Sequence, residues 1–286
     1  MNMRTLTADQ QARWAIDGYL HLEGVFDHQE VAHLSKAIDY VRTQPGWEPM
    51  SGMLPRGHYG WVEKCVDQDL SGFMDRRDIL PYDQAFVDLM DRPEVFDLIV
   101  DIMGPNILFS MSQAIVRPST QEFPGYTHTD GGEALREIRV TETSRPLAMK
   151  ALYLLSDVTE EDAGAFTVYP GSHFRPFPKD RNPPLDPRSP GCVQLMGKAG
   201  DCFLFPHAIW HGPAPNYSGK ARKTLLYNYC QLFIRAYDFG ALPTNLLENM
   251  SPRQRRLMGD LGHNWRPGDY FYVPEDQEEI ITGRAA

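Results

Sequence analysis

Apolar residues recur every three to four positions up to about residue 105, then every two. The change of period predicts a helical opening and a strand-rich remainder. Thr7 caps a predicted helix that runs to about Asp17, and Gly18 stops it. Asp27 and Glu30 form a capping box ahead of a second helix, which carries Val31, Leu34, Ala37, Ile38 and Val41 on one face. Two short helices are expected over 84–90 and 94–103, with Pro93 in the tolerated first turn and Gly104 as the stop. Residues 44–81 break the pattern. Gly46, Gly52, Gly57, Gly60 and Gly72 are interleaved with Trp47, Tyr59 and Trp61, which reads as a long functional loop or lid.

Strands are predicted over 107–116, 148–155, 165–169, 192–196, 202–205 and 223–233. Gly, Pro, Asp and Asn clusters separate them. Antiparallel strands after a helical opening imply a mainly β fold with flanking helices, a sandwich or jelly roll. A last helix is expected over 252–261 behind Ser251, and the tail after Gly262 is expected to pack across the barrel. Neither repeat nor linker divides the chain. One domain is expected, with a helical region over residues 1–105, a core at about 106–235 and an extension over 236–286.

With 42% hydrophobic and 23% charged residues, the composition is that of an ordinary soluble globule. A formal charge of −10 argues against a nucleic-acid surface or an anionic membrane as partner. Apolar runs such as 151–155 are far too short to span a bilayer. The start lacks the apolar stretch of a signal peptide. Cys65, Cys192, Cys202 and Cys230 form no CxxC pair and read as reduced thiols of a cytoplasmic protein.

The chemistry is carried by His128-Thr129-Asp130 and His211. In an extended segment residues 128 and 130 point to one side, so both can reach one ion while Thr129 faces away. Gly131-Gly132 lets the chain turn sharply beside them. A lone His-x-acid is weak evidence, and His21-Leu22-Glu23 is a decoy with no downstream partner. His211 ends the apolar stretch 203–212, and a jelly roll brings early and late strands side by side. Two imidazoles and one carboxylate make the facial triad of non-heme Fe(II), with positions left open for a chelating 2-oxo acid and O₂. Arg222 follows His211 by eleven residues (222 − 211 = 11). Its guanidinium fork suits the far carboxylate of 2-oxoglutarate. Thr224 faces the same way along a strand, and Lys223 the opposite way.

These residues resemble the phytanoyl-CoA dioxygenase (PhyH-like) family of Fe(II)/2-oxoglutarate oxygenases. The resemblance runs roughly from Thr7 to Arg235. It rests on His128-Thr129-Asp130, Gly164-Ala165-Phe166, Pro170-Gly171-Ser172-His173, Gly200-Asp201, His211-Gly212 and Arg222. It implies a double-stranded β-helix with His128, Asp130 and His211 on iron and Arg222 on 2-oxoglutarate. Gln113 and Tyr153 would be further cosubstrate contacts. Arg117, Tyr126, His207 and Trp61, with Tyr59, would flank the substrate pocket, and His173 would belong to loop architecture. Related halogenases carry a small residue in place of the carboxylate, so Asp130 favours hydroxylation of a small organic substrate, with succinate and CO₂ released. Two other readings compete: a non-catalytic metal-binding jelly-roll sensor, and a metal-dependent hydrolase or isomerase that needs no O₂.

Overall fold

Caps written in the sequence set the helical layer. Thr7 closes a capping box on α1 (Ala8–Asp17), and Gly18, at φ +80°, ends it. Asp27 and Glu30 do the same for α2 (His28–Thr43), which buries Leu34, Ala37, Ile38 and Val41. Then come α3 (Gln84–Asp88) and α4 (Pro93–Met103). The computed structural model describes residues 5–44, 73–121, 124–132, 135, 138, 141, 143–236, 238 and 244–283. Most of the expected lid, with Tyr59 and Trp61, lies outside these. Its last residues are not loop: β2 (Met74–Arg77) pairs with the strand that follows α4.

The strands are β1 (Leu20–Leu22), β2, β3 (Ile107–Arg117), β4 (Ala148–Leu154), β5 (Phe166–Val168), β6 (Val193–Leu195), β7 (Cys202–Pro206), β8 (His211–Pro213) and β9 (Arg222–Gln231). They form an antiparallel six-stranded sheet, β1-β7-β4-β9-β3-β2, and a three-stranded sheet, β6-β5-β8. Residue 128 joins the small sheet through an antiparallel bridge to residue 211.

Both faces of the large sheet are covered, so β4 is buried along its whole length. Met149, Ala151, Tyr153, Leu225, Tyr227 and Tyr229 pack on the helices. Leu152, Leu154, Phe203, Phe205 and Leu226 pack inward against Phe166, Val168 and Leu195 of the small sheet. Each large apolar side chain so buried contributes about 1.5–3 kcal/mol. Tyr227 and Tyr229 also tie the sheet to the helical layer, their hydroxyls donating to the carbonyls of Phe86 (2.7 Å) and Met90 (2.8 Å).

One irregularity aims the site. The β3–β9 register shifts between Phe109 and Met111. Ile107 and Phe109 face the helices, whereas Met111 faces inward. One extra residue, Ser110, reverses the alternation, so Gln113, Ile115 and Arg117 share the inner face.

After β9 come α5 (Thr244–Glu248), α6 (Pro252–Leu257) and α7 (Glu275–Thr282). The tail was expected across the barrel. Instead α7 packs on α4, and Gln277 donates to the carbonyl of Pro105 at 2.6 Å. Among the described residues no helix is long and apolar enough to cross a membrane.

Candidate metal centre

His128 and His211 exchange backbone hydrogen bonds of 2.8 and 2.9 Å, N–H of each to carbonyl of the other. Directly opposed residues of such a pair project to the same side, and the two ring centroids lie 4.3 Å apart. Asp130 N–H donates to the carbonyl of His207 (3.0 Å), which ties the turn down and returns the carboxylate to the same spot. One ligand atom from each of His128, Asp130 and His211 lies within 4.8 Å of the others. His211 Nδ1 is committed to the carbonyl of Ile209 at 2.8 Å. Its Nε2 lone pair therefore points inward, 3.6 Å from Asp130 Oδ2. Oδ2 is buried and accepts no hydrogen bond from the described residues. Two imidazole nitrogens and an unclaimed carboxylate oxygen at this spacing fit one divalent ion of the Fe(II) type.

Gly212 makes this approach possible. A Cβ there would stand 1.6 Å from the carbonyl oxygen of Tyr126. Gly212→Ala is therefore expected to push the 126–130 segment off β8. It should lower stability by about 1–3 kcal/mol in urea unfolding and weaken Fe(II) binding; no change in either would contradict the role of that contact.

Burial alone would raise the Asp130 pKa. Lys150 and then the two imidazoles overcome it and hold the carboxyl well below the ordinary range. Lys150 donates to Asp130 Oδ1 at 2.5 Å from the inner face of β4. Sequence reasoning missed Lys150, although a lone cation in the apolar run 148–155 was the available signal. Phe205 and Phe166 flank the His211 ring at 4.9 and 5.7 Å. Burial first, then repulsion from His128 and Lys150, outweighs the pull of Asp130 and takes the His211 pKa down to about 3. Burial takes His173 down to about 4.

The folded imidazoles of His211 and His173 thus stay neutral where unfolded ones, at about 6.5, take up protons. The unfolded state binds more protons between those limits, so stability falls as pH falls. The expected slope for the metal-free protein is about 1.4 kcal/mol per pH unit for each histidine below pH ~6. Urea midpoints measured from pH 7 to 5 check it, and His173→Phe should remove one histidine's share. A flat profile would contradict it.

The other expected residues divide. Arg222 and Thr224 are buried on the inner face, and Arg222 Nη1 donates to Thr224 Oγ1 at 3.2 Å. No carboxylate among the described residues lies within ion-pair distance of Arg222. Arg117 stands directly across from it in the β3–β9 register. Burial lowers the Arg222 pKa to about 9, with repulsion from Arg117 adding to it, and burial takes Arg117 to about 10. Guanidinium remains the working form, so a buried Arg222 with no carboxylate among the described residues in ion-pair range favours an anion beside it. Arg117 therefore sits deep beside Arg222 and not at the mouth. Gln113 is also inward and bonds Asp75. Tyr126 lies at the lip, its ring 5.1 Å from that of His128. Lys223 points the other way, to Asp39 on α2 (2.6 Å).

The expectation for Tyr153 needs correction. Tyr153 is fully buried on the helix side of β4, stacked on Phe26 at 5.1 Å. Strand alternation turns it away from the face that carries Lys150, so it cannot touch a cosubstrate there. His207 holds its Nδ1 at the Ala148 backbone and lines a cavity of about 20 Å³ with Thr129 and His173. Asp130 lines the same space, so His207 stands beside the metal centre. Trp61 lies outside the described residues.

The phytanoyl-CoA dioxygenase (PhyH) family model matches residues 14–224, which include the triad and Arg222. The chain belongs to that family. PhyH proteins are Fe(II)/2-oxoglutarate-dependent dioxygenases, and this chain carries their His-Asp-His set. Similar solved structures confirm the double-stranded β-helix. HygX from Streptomyces hygroscopicus, solved with nickel and 2-oxoglutarate bound, has TM-score 0.60 at 20% identity over 84% of this chain and 94% of that one. EctD from S. alaskensis, in its apoform, has TM-score 0.60 at 22% identity over 81% and 79%. SnoN, a non-heme alpha-ketoglutarate-dependent epimerase from nogalamycin biosynthesis, has TM-score 0.55 at 20% identity over 77% and 81%.

Proposed function

We propose that this PhyH protein hydroxylates a C–H bond of a small organic molecule, consuming 2-oxoglutarate and O₂ and releasing succinate and CO₂. The observation that supports this best is an open three-ligand centre on the same inner surface as a buried guanidinium that has no acid partner among the described residues. A sensor needs no such grip, and a hydrolase needs no cosubstrate anion site.

When bound, iron supplies O₂ activation coupled to oxidative decarboxylation of the 2-oxo acid. His128, Asp130 and His211 would hold it. Arg222 would take the far carboxylate of 2-oxoglutarate, with Thr224 beside it and Arg117 adding positive charge. Gln113, on the same inner face, would help orient the cosubstrate. Phe166 and Phe205 keep water from the buried side of His211. His128 is the open edge, its side chain 34% exposed against 5% for His211, so substrate enters past His128 and Tyr126.

Cys192, Cys202 and Cys230 are free thiols, in keeping with a cytoplasmic enzyme. The acidic balance supports a small-molecule partner in place of nucleic acid or an anionic membrane.

Anaerobic titration with Fe(II) and then 2-oxoglutarate, followed by the visible charge-transfer band of the chelate, tests the cofactor assignment. A metabolite panel read for succinate and product mass tests the reaction. Hydroxylation predicts a product heavier by one oxygen. A product of unchanged mass would instead indicate epimerisation, the outcome named for SnoN, and one lacking two hydrogens would indicate desaturation, alcohol oxidation or ring closure, the last being the outcome named for the carbocyclase SnoK.

A further inference from the structure

Lys150 is an expensive residue where it stands. It lies mid-strand in β4, opposite Phe205 on one side and Asn228 on the other. Leu152 and Leu154 follow it on the same inner face, and the whole strand is buried. A cation in such a setting persists when it is paired. Its partner is Asp130, at 2.5 Å, and only through Oδ1. Asp130 Oδ2 is left buried and unclaimed, on the side of His211 Nε2. The two oxygens of one carboxylate thus have different tasks.

We propose that Lys150 is a positioning residue that restricts Asp130 to one-oxygen coordination, through Oδ2. The inference rests on the Fe(II)/2-oxoglutarate reading. A carboxylate can bind an ion with one oxygen or with both. Bound through both, Asp130 would take four of six positions together with the histidines. Two would remain, enough for a chelating 2-oxo acid but not for O₂ as well. By occupying Oδ1, the ammonium keeps the third position free. It also holds the carboxylate rotamer and adds positive charge where an anionic cosubstrate must dock. Neutral residues at position 150 would lack all three effects.

The test uses the full chain. The wild-type crystal structure with Mn(II) and 2-oxoglutarate should show Asp130 bound through one oxygen, with Lys150 Nζ still donating to the other. Solution measurements accompany it on wild type, Lys150→Met and Lys150→Arg: the Co(II) ligand-field spectrum, Co(II) affinity and 2-oxoglutarate affinity. Lys150→Met should bind Co(II) at least as tightly as wild type, because a nearby like charge is gone. Its spectrum should change, and its 2-oxoglutarate affinity should fall about tenfold or more, because a cation beside the docking anion is lost. Lys150→Arg, which keeps the cation, should restore the wild-type spectrum.

A wild-type complex with both Asp130 oxygens on the metal, or with Lys150 turned away, overturns the proposal even if Lys150→Met does not fold. So does a Lys150→Met protein with unchanged spectrum and unchanged 2-oxoglutarate affinity. Failure of the wild type itself to bind Co(II) and 2-oxoglutarate would instead count against the oxygenase reading.

Discussion

His211→Ala should lose Fe(II) binding and, with it, all 2-oxoglutarate turnover. Structural zinc sites, with four ligands, bind with about 10–16 kcal/mol, or about 3 kcal/mol per ligand. Losing one ligand of three should therefore weaken Fe(II) by about 100-fold or more. His211 is the most informative of the three to replace. Asp130→Ala would also strand the buried Lys150 ammonium, which costs about 3–5 kcal/mol of folding stability and confuses the result. His128 is the more exposed imidazole, and solvent could fill its place. His211 sits between Phe166 and Phe205, so its loss leaves an apolar gap with no replacement donor. Anaerobic Fe(II) titration checks the expectation. Wild-type affinity in His211→Ala would mean that the ion, if any, is held elsewhere.

Arg222→Met should raise the 2-oxoglutarate dissociation constant at least ~100-fold while leaving Fe(II) affinity unchanged. A hydrogen bond to a charged group is worth about 1.5–3 kcal/mol, and a forked guanidinium makes two. The expected split is specific, because Arg222 is not a metal ligand. Folding gives a second signature. With no acid partner among the described residues and with Arg117 across the register, the guanidinium is a cost to the metal-free protein. Arg222→Met should therefore melt no lower than wild type. Unchanged 2-oxoglutarate affinity would refute the assignment, and a lower melting point would show that Arg222 has a structural partner outside the described residues.

The helices and the principal strands were legible because their signals are local. Thr7, Asp27 and Ser251 each cap the helix they were expected to cap, within a few residues of chain. Three short strands were not. β1, β2 and β8 span three or four residues each, too few for alternation to register, whereas β5 and β6, equally short, lie inside the predicted runs 165–169 and 192–196. β1 and β2 exist because a longer neighbour offers free hydrogen-bonding groups. Tyr153 shows a related limit. Its period-two position is plain in the sequence, but which side of a doubly covered sheet counts as the site side is not, since both faces of β4 are apolar. Gln113 and Arg117 depended on a bulge at Ser110 that no residue pattern announces.

The chain alone determined the donor chemistry: a His-x-Asp pair, a late histidine and an arginine eleven residues beyond it. Spacing decides which side chains can share a side of an extended strand, and residue type decides which ions and anions they suit. Tertiary structure decided what those groups face. It set Lys150 on one oxygen of Asp130, Arg117 across from Arg222 and the Gly212 backbone against Tyr126. Each of these contacts joins residues 20 or more apart through sheet register, and register is a property of how strands pair, which no single strand carries.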